Sequence, residues 1–204
     1  MKKLATEEMH RMTVEEFRAS AKMPLTVVLD NVRSLNNIGS VFRTADAFRV
    51  EHIALCGISA TPPHREIHKT ALGAEESVDW SYHEDTVACV RMLKERGYKV
   101  YAVEIAHDSL KLGTDTVAAD RPVAVVFGNE IDGVQEEVMD LCDGFLEIPQ
   151  SGTKHSLNVS CAAAIVIWEM CRILRDLKAT PPDNPHEWLR DPKATPPDES
   201  PAGA

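Results

Sequence analysis

The sequence predicts an α/β fold, a mostly parallel sheet flanked by helices. Short apolar runs of strand length recur along the chain, and stretches with helical spacing of apolar residues lie between them. Within the runs, apolar residues follow one another instead of alternating with polar ones. Strands covered on both faces require that pattern, and alternation of strand and helix places them parallel.

The elements follow in order. Thr6 precedes an acidic amphipathic stretch, and Thr13-Val-Glu-Glu16 has the spacing of a capping box ahead of Phe17. One or two short helices are therefore expected before Pro24, so that residues 1–23 form a helical arm. Strands are expected at 25–30, 52–56, 98–104, 122–127 and 144–148. Helices are expected at 38–48, 86–96, 134–141 and 158–174, the last apolar enough to be buried.

Composition fits one catalytic domain with appendages, placed at residues 24–176. A chain of 204 residues with 44% hydrophobic content can bury one substantial core. Residues 177–204 hold seven of the twelve prolines and repeat Lys-Ala-Thr-Pro-Pro-Asp at 178–183 and 193–198. Proline fixes φ and removes a donor, so this stretch reads as a disordered tail. The longest apolar run, residues 161–168, is far below the roughly 18 residues of a membrane span. With no signal-peptide stretch at the start, a cytoplasmic protein without membrane association is expected.

The net charge of −10 argues against a passive nucleic-acid coat, since non-specific binding is driven by neutralising phosphates. Any nucleic-acid contact must come from a local basic patch. The five cysteines form no Cys-x-x-Cys pair and sit in or beside apolar sequence, which reads as small hydrophobes and not as a zinc site or disulfide framework.

Common cofactor loops are missing. Gly128 and Gly133 have the spacing that opens a phosphate loop, but Val134-Gln135 stand where Lys and Ser/Thr belong. His64 and Glu66 form a His-x-Glu without the Pro-Cys-x-x-Cys partner of a zinc deaminase. His64 and His68 lack a third ligand, so a solvated loop facing phosphate is favoured over a metal site, and no metal is expected.

What remains is polar clusters at strand ends, where open α/β sheets bind ligands. The first runs from Asp30 to Arg43 through Asn36, Asn37 and Gly39; it suits an anionic phosphate or a ribose at a helix N-terminus, or equally a helix cap at Asn36 or Asn37 with Arg43 in a surface ion pair. The second, Phe127-Gly-Asn-Glu-Ile-Asp-Gly133, allows close backbone approach to a ligand, with Asn129 or Glu130 available to hydroxyls; a plain turn explains its glycines almost as well. The third spans Ile148 to Ser160 and contains Ser151, Lys154, His155, Ser156 and Asn158, with helix capping as its simplest explanation.

Taken in this order, the clusters resemble the three motifs of the SpoU (TrmH-type) family within the SPOUT superfamily of RNA methyltransferases. The resemblance is carried by Asn-Ile-Gly-Ser-Val-Phe-Arg (37–43), Phe-Gly-Asn-Glu-Ile-Asp-Gly-Val (127–134), Ile-Pro-Gln (148–150) and Ser-Leu-Asn-Val-Ser (156–160). Residues 69–80 also resemble the family's segment between motifs, and the likeness extends over about residues 24–175.

The resemblance implies a deep trefoil knot near the C-terminus, which general topology rules would argue against. It implies an RNA 2′-O-ribose methyltransferase acting on tRNA or rRNA, with S-adenosyl-L-methionine held around Phe127, Gly128, Ile148 and Leu157. Asn37, Arg43, Glu130, Ser156 and Asn158 would be the catalytic residues. Arg43 is read as an electrostatic activator near phosphate, because a guanidinium stays protonated. A homodimer is implied, with the 158–174 helix contributing to subunit packing.

Candidate RNA contacts are Arg33, Arg43, Arg49, His64, Arg65, His68, Lys69, Lys154 and His155, with Lys2, Lys3, Arg11, Arg18 and Lys22 from the arm. The family's separate N-terminal RNA-binding domain is not expected here, which tilts the reading towards a small folded substrate such as tRNA. Two alternatives stay open: a non-catalytic RNA-binding or assembly protein with the same fold, and a SPOUT methyltransferase that modifies a base.

Overall fold

Strand β1 (Met23–Asp30) is buried along all but its first residue, and a strand so enclosed needs cover on both faces. It lies in the middle of a sheet with β2 (Val50–Cys56), β3 (Trp80–His83), β4 (Lys99–Val103), β5 (Leu110–Lys111), β6 (Val123–Phe127) and β7 (Gly144–Glu147). The strand order is β3-β2-β1-β6-β4-β7-β5, and every pairing is parallel. These elements come from a computed structural model that describes residues 3–175; the proline-rich tail expected at 177–204 lies outside the described residues.

The period of two along each strand divides the core. Leu25, Val27 and Leu29 join Val123, Val125 and Phe127 on one face, under α2 (Leu35–Ala47) and α7 (Val159–Leu174). Val28, Ala124 and Val126 point the other way, towards Cys89, Val90 and Leu93 of α5 (Thr86–Glu95) and Val138 of α6 (Glu136–Met139). The expected parallel α/β architecture is therefore present.

Several boundaries differ from the sequence reading. Residues 57–83, where no element was expected after the second strand, contain α3 (Arg65–Ala71), α4 (Ala74–Ser77) and β3. Pro62 and Pro63 suggest a loop, yet the His64 Nδ1 accepts the Glu66 N–H at 3.1 Å and starts a helix directly after them. The helix expected at 134–141 shrinks to α6, and the N–H groups of Val134 and Gln135 ahead of it are taken by the side chains of Glu104 and Asp30.

The arm carries a 3-10 turn at Thr6–Met9 and α1 (Val14–Ala19). Its capping box forms as expected: Thr13 Oγ1 accepts the Glu16 N–H at 3.2 Å, and Glu16 Oε2 accepts the Thr13 N–H at 2.8 Å. Phe17 is buried in the α2-side core, and Arg18 donates to the Glu76 carbonyl, which docks α1 on α4.

Insertion of β6 between β1 and β4, and of β7 between β4 and β5, sets the loops after β6, β4 and β7 side by side at the carboxyl ends of the strands. The second and third sequence clusters are thereby brought together beside the first.

Candidate functional site

Glu130 and Asn37 join the first two clusters. One oxygen of Glu130 accepts the Asn37 Nδ2–H at 3.0 Å and the Ser34 N–H at 3.2 Å; the other accepts the Arg33 N–H at 3.3 Å. Asn158 adds the third cluster by donating Nδ2–H to Asn37 Oδ1 at 3.2 Å. Burial pushes the Glu130 carboxyl up, but the hydrogen bonds from its own backbone, Asn37, Arg33 and Ser34 outweigh this and leave it below the usual carboxylate range.

The capping assignments differ from those the sequence offered. Ser34, not Asn36 or Asn37, caps α2 by accepting the Asn37 N–H at 3.3 Å, which frees the Asn37 side chain to bridge. Asn158 does cap α7, accepting the Ser160 N–H at 2.9 Å, while its amide reaches Asn37. Ser156 is exposed and has no hydrogen bond among the described residues.

The loop between β6 and α6 is fixed from beneath by two carboxylates. Glu104 Oε1 accepts the Val134 N–H at 2.9 Å, and Asp30 Oδ2 accepts the Gln135 N–H at 3.1 Å. Asp30 is fully buried, and its Oδ1 takes further bonds from Gln135 Nε2 at 2.6 Å and Thr86 Oγ1 at 2.7 Å. Asn129 Oδ1 accepts the N–H groups of Ile131 and Asp132, both at 2.8 Å, so it turns inward on its own loop.

The glycines close this loop. Gly133 has φ +71°, a left-handed conformation that glycine adopts freely. A Cβ on Gly128 would lie 1.9 Å from the Gly133 carbonyl carbon and 2.1 Å from the Val134 nitrogen. Gly128 is therefore required by the loop's own backbone.

Beside this loop lies a cavity of about 690 Å³, within the usual range for small-molecule sites. Phe127, Gly128, Ile148 and Leu157, the four expected cofactor contacts, all line it. Glu130, Ser156 and Asn158 line it too, whereas Asn37 reaches it through its bonds to Glu130 and Asn158. Apolar side chains of Leu146, Val159 and Ala162 give it a wall suited to a flat heterocycle, and the turns at 128–133 expose backbone for polar contacts.

Residues 24–168 match the model of the SpoU rRNA Methylase family. This chain belongs to the SpoU family. It is 36% identical over 178 residues to the tRNA (guanosine(18)-2′-O)-methyltransferase of Thermus thermophilus, covering 87% of this chain and 89% of that protein. It is 35% identical over 167 residues to the 23S rRNA (guanosine-2′-O-)-methyltransferase RlmB of Nitrosomonas europaea, covering 78% of this chain but 61% of the relative. Among solved structures, an AdoMet-bound rRNA methyltransferase from Sinorhizobium meliloti is similar at TM-score 0.69 and 29% identity, covering 78% of this chain and 60% of that one. The A. aeolicus TrmH/SpoU tRNA modifying enzyme gives TM-score 0.69 at 26% identity, with 78% and 81% covered.

In this SpoU chain Arg43 does not line the cofactor-sized cavity. It lies with Arg11, Arg49, His10 and Asp46 on a second depression of about 610 Å³, formed by the arm, the end of α2 and the α3–α4 junction. Arg11, Arg43 and Arg49 have no ion-pair partner among the described residues, so the surface ion pair considered for Arg43 is not formed. The candidates His64 and His68 are engaged locally, His64 as the α3 cap and His68 with Glu75 at 2.6 Å.

Sequence reasoning missed Glu104 and the structural part of Asp30. In the sequence Asp30 only begins the first polar cluster, and Glu104 only closes the strand expected at 98–104. The available signal is position alone, since Asp30 ends β1 and Glu104 follows directly on β4 at the carboxyl edge where the loops gather.

Proposed function

We propose that this SpoU chain transfers a methyl group from S-adenosyl-L-methionine to a ribose 2′-hydroxyl of RNA, with tRNA as its substrate. The observation that carries the reading is the Asn158–Asn37–Glu130 tie, which fixes the three family motifs around one cavity. The tRNA assignment is supported by the Thermus relative, whose name gives a tRNA ribose as its target and of which this chain covers 89%.

Bound in the cavity, S-adenosyl-L-methionine supplies an electrophilic methyl on a sulfonium, a donor that needs no metal. Phe127, Gly128, Ile148 and Leu157 hold it. Ser156 has a hydroxyl free for the incoming nucleotide, and Asn37, kept rigid by Glu130 and Asn158, positions the ribose. A ribose hydroxyl is a weak acid, so positioning and stabilisation of its developing negative charge supply much of the acceleration. Arg43 acts through charge on the RNA phosphate, together with Arg11 and Arg49 in the arm depression.

The same reading includes a homodimer. On α7, Cys161, Ile165 and Trp168 form an exposed apolar stripe, with Ile165 42% and Trp168 57% accessible, as a subunit interface would leave them in one protomer. A C-terminal trefoil knot and a cytoplasmic location belong to it as well; no helix among the described residues is long and apolar enough to cross a membrane.

The test is transfer of labelled methyl from S-adenosyl-L-methionine to unmodified tRNA and rRNA, followed by nucleoside analysis. A 2′-O-methylated nucleoside from tRNA is expected. A methylated base would overturn the ribose assignment, and incorporation into rRNA alone would overturn the tRNA assignment. Cofactor binding without incorporation into either RNA would favour a non-catalytic RNA-binding role.

A further inference from the structure

We propose that Glu104 and Glu147 make the cavity select the cationic methyl donor over its product, which lacks the sulfonium charge and is neutral overall. The inference rests on the methyl-transfer reading above. Glu104, Glu130, Asp132 and Glu147 line the cavity, and among the described residues no lysine or arginine does. Glu130 is engaged in the tie to Arg33, Ser34 and Asn37, and Asp132 is exposed on the loop.

Glu104 and Glu147 are placed differently. Strands β4 and β7 pair in register through Val103 and Leu146, and the Glu104 N–H donates to the Leu146 carbonyl at 3.1 Å. Glu104 follows directly on β4 and Glu147 ends β7, so both carboxylates stand at the edge of the cavity, Glu104 turned to the loop after β6 and Glu147 to the segment before β5. Each also uses only one oxygen within the protein: Glu104 Oε1 accepts from Val134, and Glu147 Oε2 accepts the Ser109 hydroxyl at 2.6 Å. The other oxygen of each has no partner among the described residues.

The reaction changes the charge that these groups meet. The ribose oxygen forms the new O–C bond, the C–S bond breaks with its electron pair staying on sulfur, and the hydroxyl proton passes to solvent water. S-adenosylmethionine, with its sulfonium and its zwitterionic amino acid, thus becomes S-adenosylhomocysteine, one positive charge poorer. An edge carrying carboxylates and no lysine or arginine favours the first over the second and promotes exchange of spent product for donor.

Calorimetry on the full chain tests this with S-adenosylmethionine, S-adenosylhomocysteine and sinefungin, an unreactive analogue with an amine in place of the methylated sulfonium. Glu104→Gln and Glu147→Gln keep an acceptor for Val134 and Ser109. Each is expected to weaken binding of the two cationic ligands by about three- to tenfold, the scale for charges several ångströms apart in a half-solvated site, with little change for the neutral product. Added salt should lessen the cationic ligands' advantage in the wild type. Equal losses for all three ligands would mean that the carboxylates only shape the loops, and unchanged affinities would mean that they do not act on the ligand; either result overturns the proposal. A wild type that binds none of the three would instead overturn the methyl-transfer reading on which the proposal stands.

Discussion

The Asn158 amide donates to the Asn37 side-chain oxygen across 121 positions of sequence. Asn37 in turn donates to Glu130, so one carboxamide joins α7 to the loop after β6. Replacing it by alanine leaves Glu130 its bonds from Arg33 and Ser34, and leaves the lining of the cofactor cavity intact. Asn37→Ala is therefore expected to lower kcat for methyl transfer by about 100-fold, the cost typical of losing one fixed polar group at a reacting centre. Calorimetry should find cofactor affinity nearly unchanged; an equal loss of both would assign Asn37 to cofactor binding.

Glu130 gives this tie a pH dependence. Its carboxyl is held below its ordinary 4.5 in the folded chain, so its contribution to stability is complete above that value. As pH falls through 4.5 and on through the lower folded value, the contribution is lost. Thermal unfolding followed across this range should show the wild type losing Tm more steeply than Glu130→Gln, whose side chain does not titrate. Parallel curves would show that the Glu130 hydrogen bonds contribute little to folding.

The sequence exposes these ties only in part. Runs such as Val123–Phe127 are legible because consecutive burial leaves a continuous apolar string, and the Thr13–Glu16 box because capping is local. Strand β5 is two residues long, and α4 is four, too short for any period to register. Glu104 is illegible for another reason. Its partner Val134 is 30 residues away, and only insertion of the later strands beside β4 brings the two together. The Arg43 placement is likewise tertiary, set by the arm folding back over the end of α2.

Gly128 separates two explanations for a motif glycine. A side chain there would meet the backbone of Gly133 and Val134 before it met any ligand. Gly128→Ala should thus destabilise the chain by about 1–3 kcal/mol, the usual cost of overpacking, as well as weaken cofactor binding. Denaturant unfolding without any ligand measures the first effect. Wild-type stability with impaired binding would show that the glycine serves the cofactor directly.

The arm depression carries a separate expectation about RNA. Arg11 and Arg49 line it without ion-pair partners among the described residues, so in a chain whose net charge is −10 a phosphate backbone would find local positive charge there. Neither residue lines the cofactor cavity. Arg11→Ala and Arg49→Ala should each raise KM for tRNA and reduce the slope of log affinity against log salt by about 1, as loss of one phosphate contact does. Binding of S-adenosyl-L-methionine should not change. If RNA affinity and its salt slope stay at the wild-type level in both variants, the RNA follows another path, and Arg11 and Arg49 are solvated charges at the edge of the arm.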